Sequence, residues 1–135
     1  MVRREARKRA LEILYQIEIT GNDVDHSINQ FNRTGRDVDS FSENIVRGIS
    51  KQKDQIDEQI DLAAARWTIQ RMPLLDRNIL RMAIYEILYE PEIPVSVAIN
   101  EAVELAKIYG TPDSSKFVNG VLGNIAKKVV KSNKK

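Results

Sequence analysis

Five of the nine side chains from Arg3 to Leu11 (RREARKRAL) are cationic, and a single carboxylate, Glu5, stands among them. Guanidinium and ammonium groups at that density hold phosphates. At 100° per residue, Arg4, Lys8, Leu11, Tyr15 and Ile19 share one helical stripe, while Ala6, Ala10, Ile13, Leu14 and Ile17 form an apolar stripe beside it. One stripe can face the protein's own core. The other starts with cations and ends with a tyrosine and an isoleucine, a layout suited to a polyanion held next to a protein partner. The same pattern also fits burial of Leu11 and Tyr15 under a second internal helix, with the cations a solvated helix start. Single-stranded RNA on this segment would take phosphate contacts from Arg3, Arg4, Arg7 and Lys8 and would want an aromatic for stacking. Phe117 can be that aromatic if exposed, although its periodicity alone fits a core residue equally well.

Other chemistry is sparse. There is no cysteine, which removes disulfides, thiolate zinc sites and cysteine nucleophiles. The one histidine, His26, has no second histidine or G-x-S-x-G near it, and no Gly-rich phosphate loop occurs. The expectation is therefore no catalytic residue, no metal and no cofactor, with His26 on the surface of a short helix. Asp54, Asp57, Glu58 and Asp61 recur at helical spacing, but without histidines they read as a solvated face rather than a carboxylate metal site. Nor does any helix gather the Lys and Arg as a duplex-reading recognition helix does.

The net charge of +2 is unevenly spread over the 135 residues. Residues 1–10 hold five cations and one anion, and Lys127, Lys128, Lys131, Lys134 and Lys135 crowd the other end, leaving an acidic body between. Basic ends on an acidic body point to a polyanion bound at the ends, with Lys134 and Lys135 read as a solubilising tail. Without a long apolar run or an apolar signal core, no membrane association is expected and the cytoplasm is the natural compartment.

Every segment has helical periodicity, so the expected fold is all-α, about seven helices, as one domain or two small bundles. The first helix spans Arg3 to Thr20 and is closed by Gly21. A short second helix follows Asn22 or Asp23, and Ser40 with Glu43 matches the capping box that opens a third. The fourth is expected from Asp54 to Trp67, the fifth from Leu75 to Glu90, and the sixth from Val95 to Tyr109, between Pro94 and Gly110. Asp113 is a suitable cap for the seventh. Asn119-Gly120 looks like a hairpin turn, yet it lies among residues at helical spacing; it reads as helix, with Gly120 a close-packing position.

Four segments carry a family resemblance: RREARKRALEILY (Arg3 to Tyr15), LDRNILRMAIYEI (Leu75 to Ile87), VAINEAVELAK (Val97 to Lys107) and DSSKFVNGVL (Asp113 to Leu122). In order and spacing they resemble the bacterial transcription antitermination factors of the NusB family, from Arg3 to about Ile125. The resemblance implies two packed helical bundles, about 1–53 and 54–130, and a non-enzymatic role. It implies pairing with NusE, a small-subunit ribosomal protein, joint binding of boxA RNA, and action on the RNA polymerase elongation complex with other Nus factors. Carried onto matching positions, RNA contacts fall on Arg3, Arg4, Arg7, Asp113, Lys116 and Phe117, and partner contacts on Tyr15, Ile19 and Asp76. Asp76 also lies in line with the apolar Leu80, Ala83 and Ile87, where a solvated carboxylate is out of place; it either meets a partner or complements the positive end of its own helix. Gln70-Arg71-Met72 departs from the family, which often has an acidic residue there, so partner contacts at that point do not transfer. A protein-binding scaffold or homodimer using the second stripe of the first helix is the alternative.

Overall fold

The computed structural model describes residues 3–64 and 72–133, the side chains of 130–133 excepted. Among them are seven helices: α1 Arg3–Thr20, α2 Val24–Arg33, α3 Ser40–Lys51, α4 Lys53–Ala63, α5 Leu74–Tyr89, α6 Val95–Tyr109 and α7 Ser114–Asn133. They divide between two compact units, Met1–Gln52 and Lys53–Lys135. No helix of the described residues is long and apolar enough to cross a membrane.

In the first unit, α1 packs on α3 and α2. Ala6, Ala10, Ile13 and Leu14 are buried, as are Ile28, Phe31, Ile45, Val46 and Ile49 from the other two helices. Gly21 ends α1 with φ +73°, the left-handed conformation glycine adopts without cost. The cap of α3 is one residue earlier than the Ser40 expected from the capping box: the Asp39 carboxylate accepts from the Ser42 N–H at 3.1 Å and from the Ser42 hydroxyl at 2.5 Å. The Ser42 hydroxyl also lies 2.8 Å from the Ala6 carbonyl, tying the start of α3 to the first turns of α1. Burial pushes the Asp39 carboxyl up, but these hydrogen bonds, with Arg9 nearby, outweigh it and hold the group below its ordinary value.

The second unit is built around α5, which packs on α4, α6 and α7. Ile79, Leu80, Met82, Ala83, Ile84 and Ile87 are buried, and so are Asp76, Asn78, Arg81 and Glu86, so α5 is enclosed on far more than one face. The Arg81 guanidinium meets Asp57 of α4 in a two-pronged pair, 2.8 Å from Nε to Oδ1 and 3.0 Å from Nη2 to Oδ2. Asp57 is thus a structural ion-pair partner and not one of four solvated carboxylates; among the described residues no acidic group is arranged to hold a metal ion. Asn124 of α7 donates to the Ala63 carbonyl in the last turn of α4 at 3.1 Å. Alanines 98, 102 and 106 of α6 are buried where that helix meets α5 and α7. The expected continuation of α4 to Trp67 lies outside the described residues.

Candidate nucleic-acid and partner interface

The cationic start of α1 divides by burial. Arg3 and Arg4 are exposed; Lys8 is half-buried and 3.2 Å from Glu5. Arg7 is only 3% exposed, its guanidinium 5.4 Å from the centre of the Phe41 ring. The helical stripe containing Arg4, Lys8 and Tyr15 is also broken at Leu11, which is buried in the core, because the face of α1 that is covered is wider than one stripe. Beyond it, Tyr15 is half-buried and Ile19 is 56% exposed. α1 therefore has an exposed cationic beginning and, several turns further along, an apolar exposed end at Ile19. His26 is exposed, its Nε2 3.1 Å from the Gln30 amide, and its own N–H is received by Asp23 at 2.7 Å, so it belongs to the local structure of α2.

In the second unit the turn from α6 into α7 gathers three of the remaining candidates. A pocket of about 250 Å³ is lined by Met72, Pro73, Asp76, Thr111, Asp113, Ser114 and Phe117. Lys116 is exposed one residue from Phe117, which is half-buried. Asp113 occupies the residue before α7, and its carbonyl accepts the Phe117 N–H at 3.1 Å. Its carboxylate makes no hydrogen bond among the described residues and is exposed, so the side chain does not cap the helix. Ser114 instead organises the turn: its Oγ accepts from the Thr111 N–H at 2.9 Å and lies 3.1 Å from the Thr111 hydroxyl. The turn is tight enough to require glycine at position 110, where a Cβ would collide with Ser114 Oγ and stand 2.8 Å from the Ala106 carbonyl oxygen. Gly120, expected as a close-packing position, is exposed with open space around it, although the helix does run through Asn119-Gly120.

Asp76 is the unusual group of this pocket. It is 5% exposed, and its Oδ1 is buried without a hydrogen-bond partner. Burial pushes its carboxyl above the ordinary value, and a hydrogen bond from Ser114 only moderates the rise. Complementing the positive end of α5 is therefore not enough to offset desolvation, and ionising this carboxyl costs the folded chain stability. Ser114 escaped the sequence reading because its partners lie in a turn whose shape no periodicity reports. Phe41 escaped it because an aromatic in a first turn looks like ordinary core.

Residues 4–127 match the sequence model of the NusB family. The chain is 42% identical over 129 residues to the transcription antitermination protein NusB of Bacillus pumilus, covering 93% of this chain and 95% of that protein. Its fold superposes on that of T. maritima NusB with a TM-score of 0.84 at 36% identity, over 95% of this chain and 92% of the other. The same fold occurs in a crystal structure of antitermination factors NusB and NusE in complex with dsRNA, with a TM-score of 0.82 at 24% identity, covering 95% and 99% of the two chains. Together with the seven-helix architecture, the near-complete match at both the sequence and the structural level means that this chain belongs to the NusB family.

Proposed function

We propose that this chain is a transcription antitermination factor that binds boxA single-stranded RNA together with NusE. In company with the RNA polymerase elongation complex and other Nus factors, it supports read-through of ribosomal RNA operons. The role is non-enzymatic and cytoplasmic. The observation that carries this reading is the 42% identity with a curated antitermination protein over nearly the whole of both chains.

The geometry supports a division of labour. Arg3 and Arg4 are accessible to phosphates, as is Lys116 at the start of α7, and Phe117 on the pocket wall can stack on a base. Asp113 is free to accept from ribose or base donors. Lys8 joins the phosphate contacts with its charge partly met by Glu5. Arg7 acts from beneath the surface, holding the local structure. For the protein partner, Tyr15 and Ile19 offer apolar area, and the lone Asp76 oxygen awaits a donor that a basic or amide group of NusE would bring.

The test is competitive binding of the chain plus NusE to boxA RNA and to duplex DNA of equal length at matched salt. RNA should be preferred; equal or tighter binding to the duplex refutes the proposal. Size-exclusion chromatography with light scattering, with and without NusE, should give a mixed complex, whereas a homodimer indifferent to NusE favours the scaffold alternative.

A further inference from the structure

Two guanidinium groups converge on one aromatic ring. Arg3 Cζ lies 4.9 Å and Arg7 Cζ 5.4 Å from the centre of Phe41, in the first turn of α3. Arg7 is buried, Arg3 is exposed, and the ring is half-buried between them in accessibility. A cation over an aromatic face is attracted by the ring's quadrupole, and arginine does this with its flat face. Its N–H donors lie in the plane of the group and stay available at the edge. A carboxylate partner would occupy those same donors. Among the described residues no carboxylate pairs with Arg3, so the ring is what locates its guanidinium without spending its hydrogen bonds.

The ring itself is anchored. Its chain neighbour Ser42 is 2.8 Å from the Ala6 carbonyl and is held by the Asp39 cap, and Arg9 donates to the Asp37 carbonyl at 2.8 Å. These contacts fix the start of α3 on the first turns of α1, on both sides of the sequence position of Phe41.

We propose that Phe41 is a positioning residue for RNA binding: its ring, backed by Arg7, orders the Arg3 guanidinium so that the N–H edge faces a phosphate of single-stranded RNA. Ordering a long side chain is a cost of binding, and a cation already stacked in the free protein has met part of it. The inference rests on the RNA-binding reading above and adds to it a residue that does not touch RNA.

The experiment measures boxA RNA affinity of the chain plus NusE by fluorescence anisotropy over a salt series, beside a thermal melt. Phe41→Leu keeps an apolar side chain but removes the ring; it should weaken binding about two- to five-fold, the range expected of an exposed cation–π contact. Phe41→Tyr should bind like wild type. Arg3→Ala should weaken binding too, and Phe41→Leu should add little on top of it, because both remove one unit. Should the Leu variant lose its cooperative melt, Phe41→Met repeats the comparison. Arg3→Ala weakening binding while a folded Phe41→Leu or Phe41→Met binds like wild type overturns the positioning role alone, as do independent, multiplying effects. No boxA binding by the wild-type complex, or no effect of Arg3→Ala, brings down the RNA reading of α1 itself.

Discussion

Replacing Arg3 and Arg4 together by alanine should change how RNA affinity depends on salt, and the size of the change follows from burial. A phosphate contact to a single strand contributes about −0.7 to the slope of log affinity against log salt, through released counterions. Arg3 and Arg4 are both exposed, so the double variant should have a slope flatter by about 1.4. Over a four-fold rise in salt, that makes the variant lose about seven-fold less affinity than wild type. Arg4→Ala/Arg7→Ala removes the same formal charge but only one accessible cation, since Arg7 is 3% exposed against Phe41. Its slope should flatten by only about 0.7. It should also melt earlier, by about 3–4 °C for each kcal/mol lost in a chain of this length, because the buried side chain leaves a void. Anisotropy titrations with NusE held constant, at four or more salt concentrations, read both slopes. Binding to unrelated single strands should fall in parallel, because phosphate contacts carry no sequence information. An unchanged slope for Arg3→Ala/Arg4→Ala, or equal flattening by the two double variants, refutes the assignment of phosphate contacts by exposure.

Three further outcomes test the remaining sites. Phe117→Ala should weaken RNA binding by about 1–3 kcal/mol with little change in the salt slope, since stacking releases few counterions; a flattened slope would speak for an electrostatic role. Tyr15→Asp should abolish NusE binding in a pull-down while the helical circular dichroism signal stays close to wild type, and wholesale unfolding would make Tyr15 a core residue. Asp76 gives a pH signature. Unfolded, its carboxyl titrates near 3.8, and in the folded chain it is raised by burial, so the native state keeps the proton longer and stability declines as pH rises from about 3.8 through the native value. Asp76→Asn removes that decline: its melting temperature relative to wild type should improve as pH rises and be no lower at pH 7, while the NusE complex weakens. A variant less stable than wild type at pH 7 would mean that Oδ1, beyond the bond the carboxyl receives from Ser114, already has a donor.

The local signals along the chain were enough to bound α1 at Arg3 and Thr20 and α6 at Val95 and Tyr109, because periodicity, Gly21, Pro94 and Gly110 all act within a turn or two of the residues they punctuate. They were also enough for the family resemblance, and they brought Asp113, Lys116 and Phe117 to the start of α7 and the cations to the start of α1. At α3 Asp39 and Ser40 are both cap-type residues side by side, and it is Asp39 whose carboxylate receives Ser42, whose hydroxyl also meets the Ala6 carbonyl of α1. Burial was decided only in three dimensions. Arg4 and Arg7 look alike in sequence, yet only Arg7 lies buried against Phe41; Asp57 looks like its solvated neighbours until Arg81 arrives from α5; Gly120 looks packed and is open. The pocket that gathers Asp76, Asp113 and Phe117 had no sequence signal, because it is made by a glycine-dependent turn between helices. A helical period reports which residues share a face, but which helix covers that face, and how completely, is a property of the packed units.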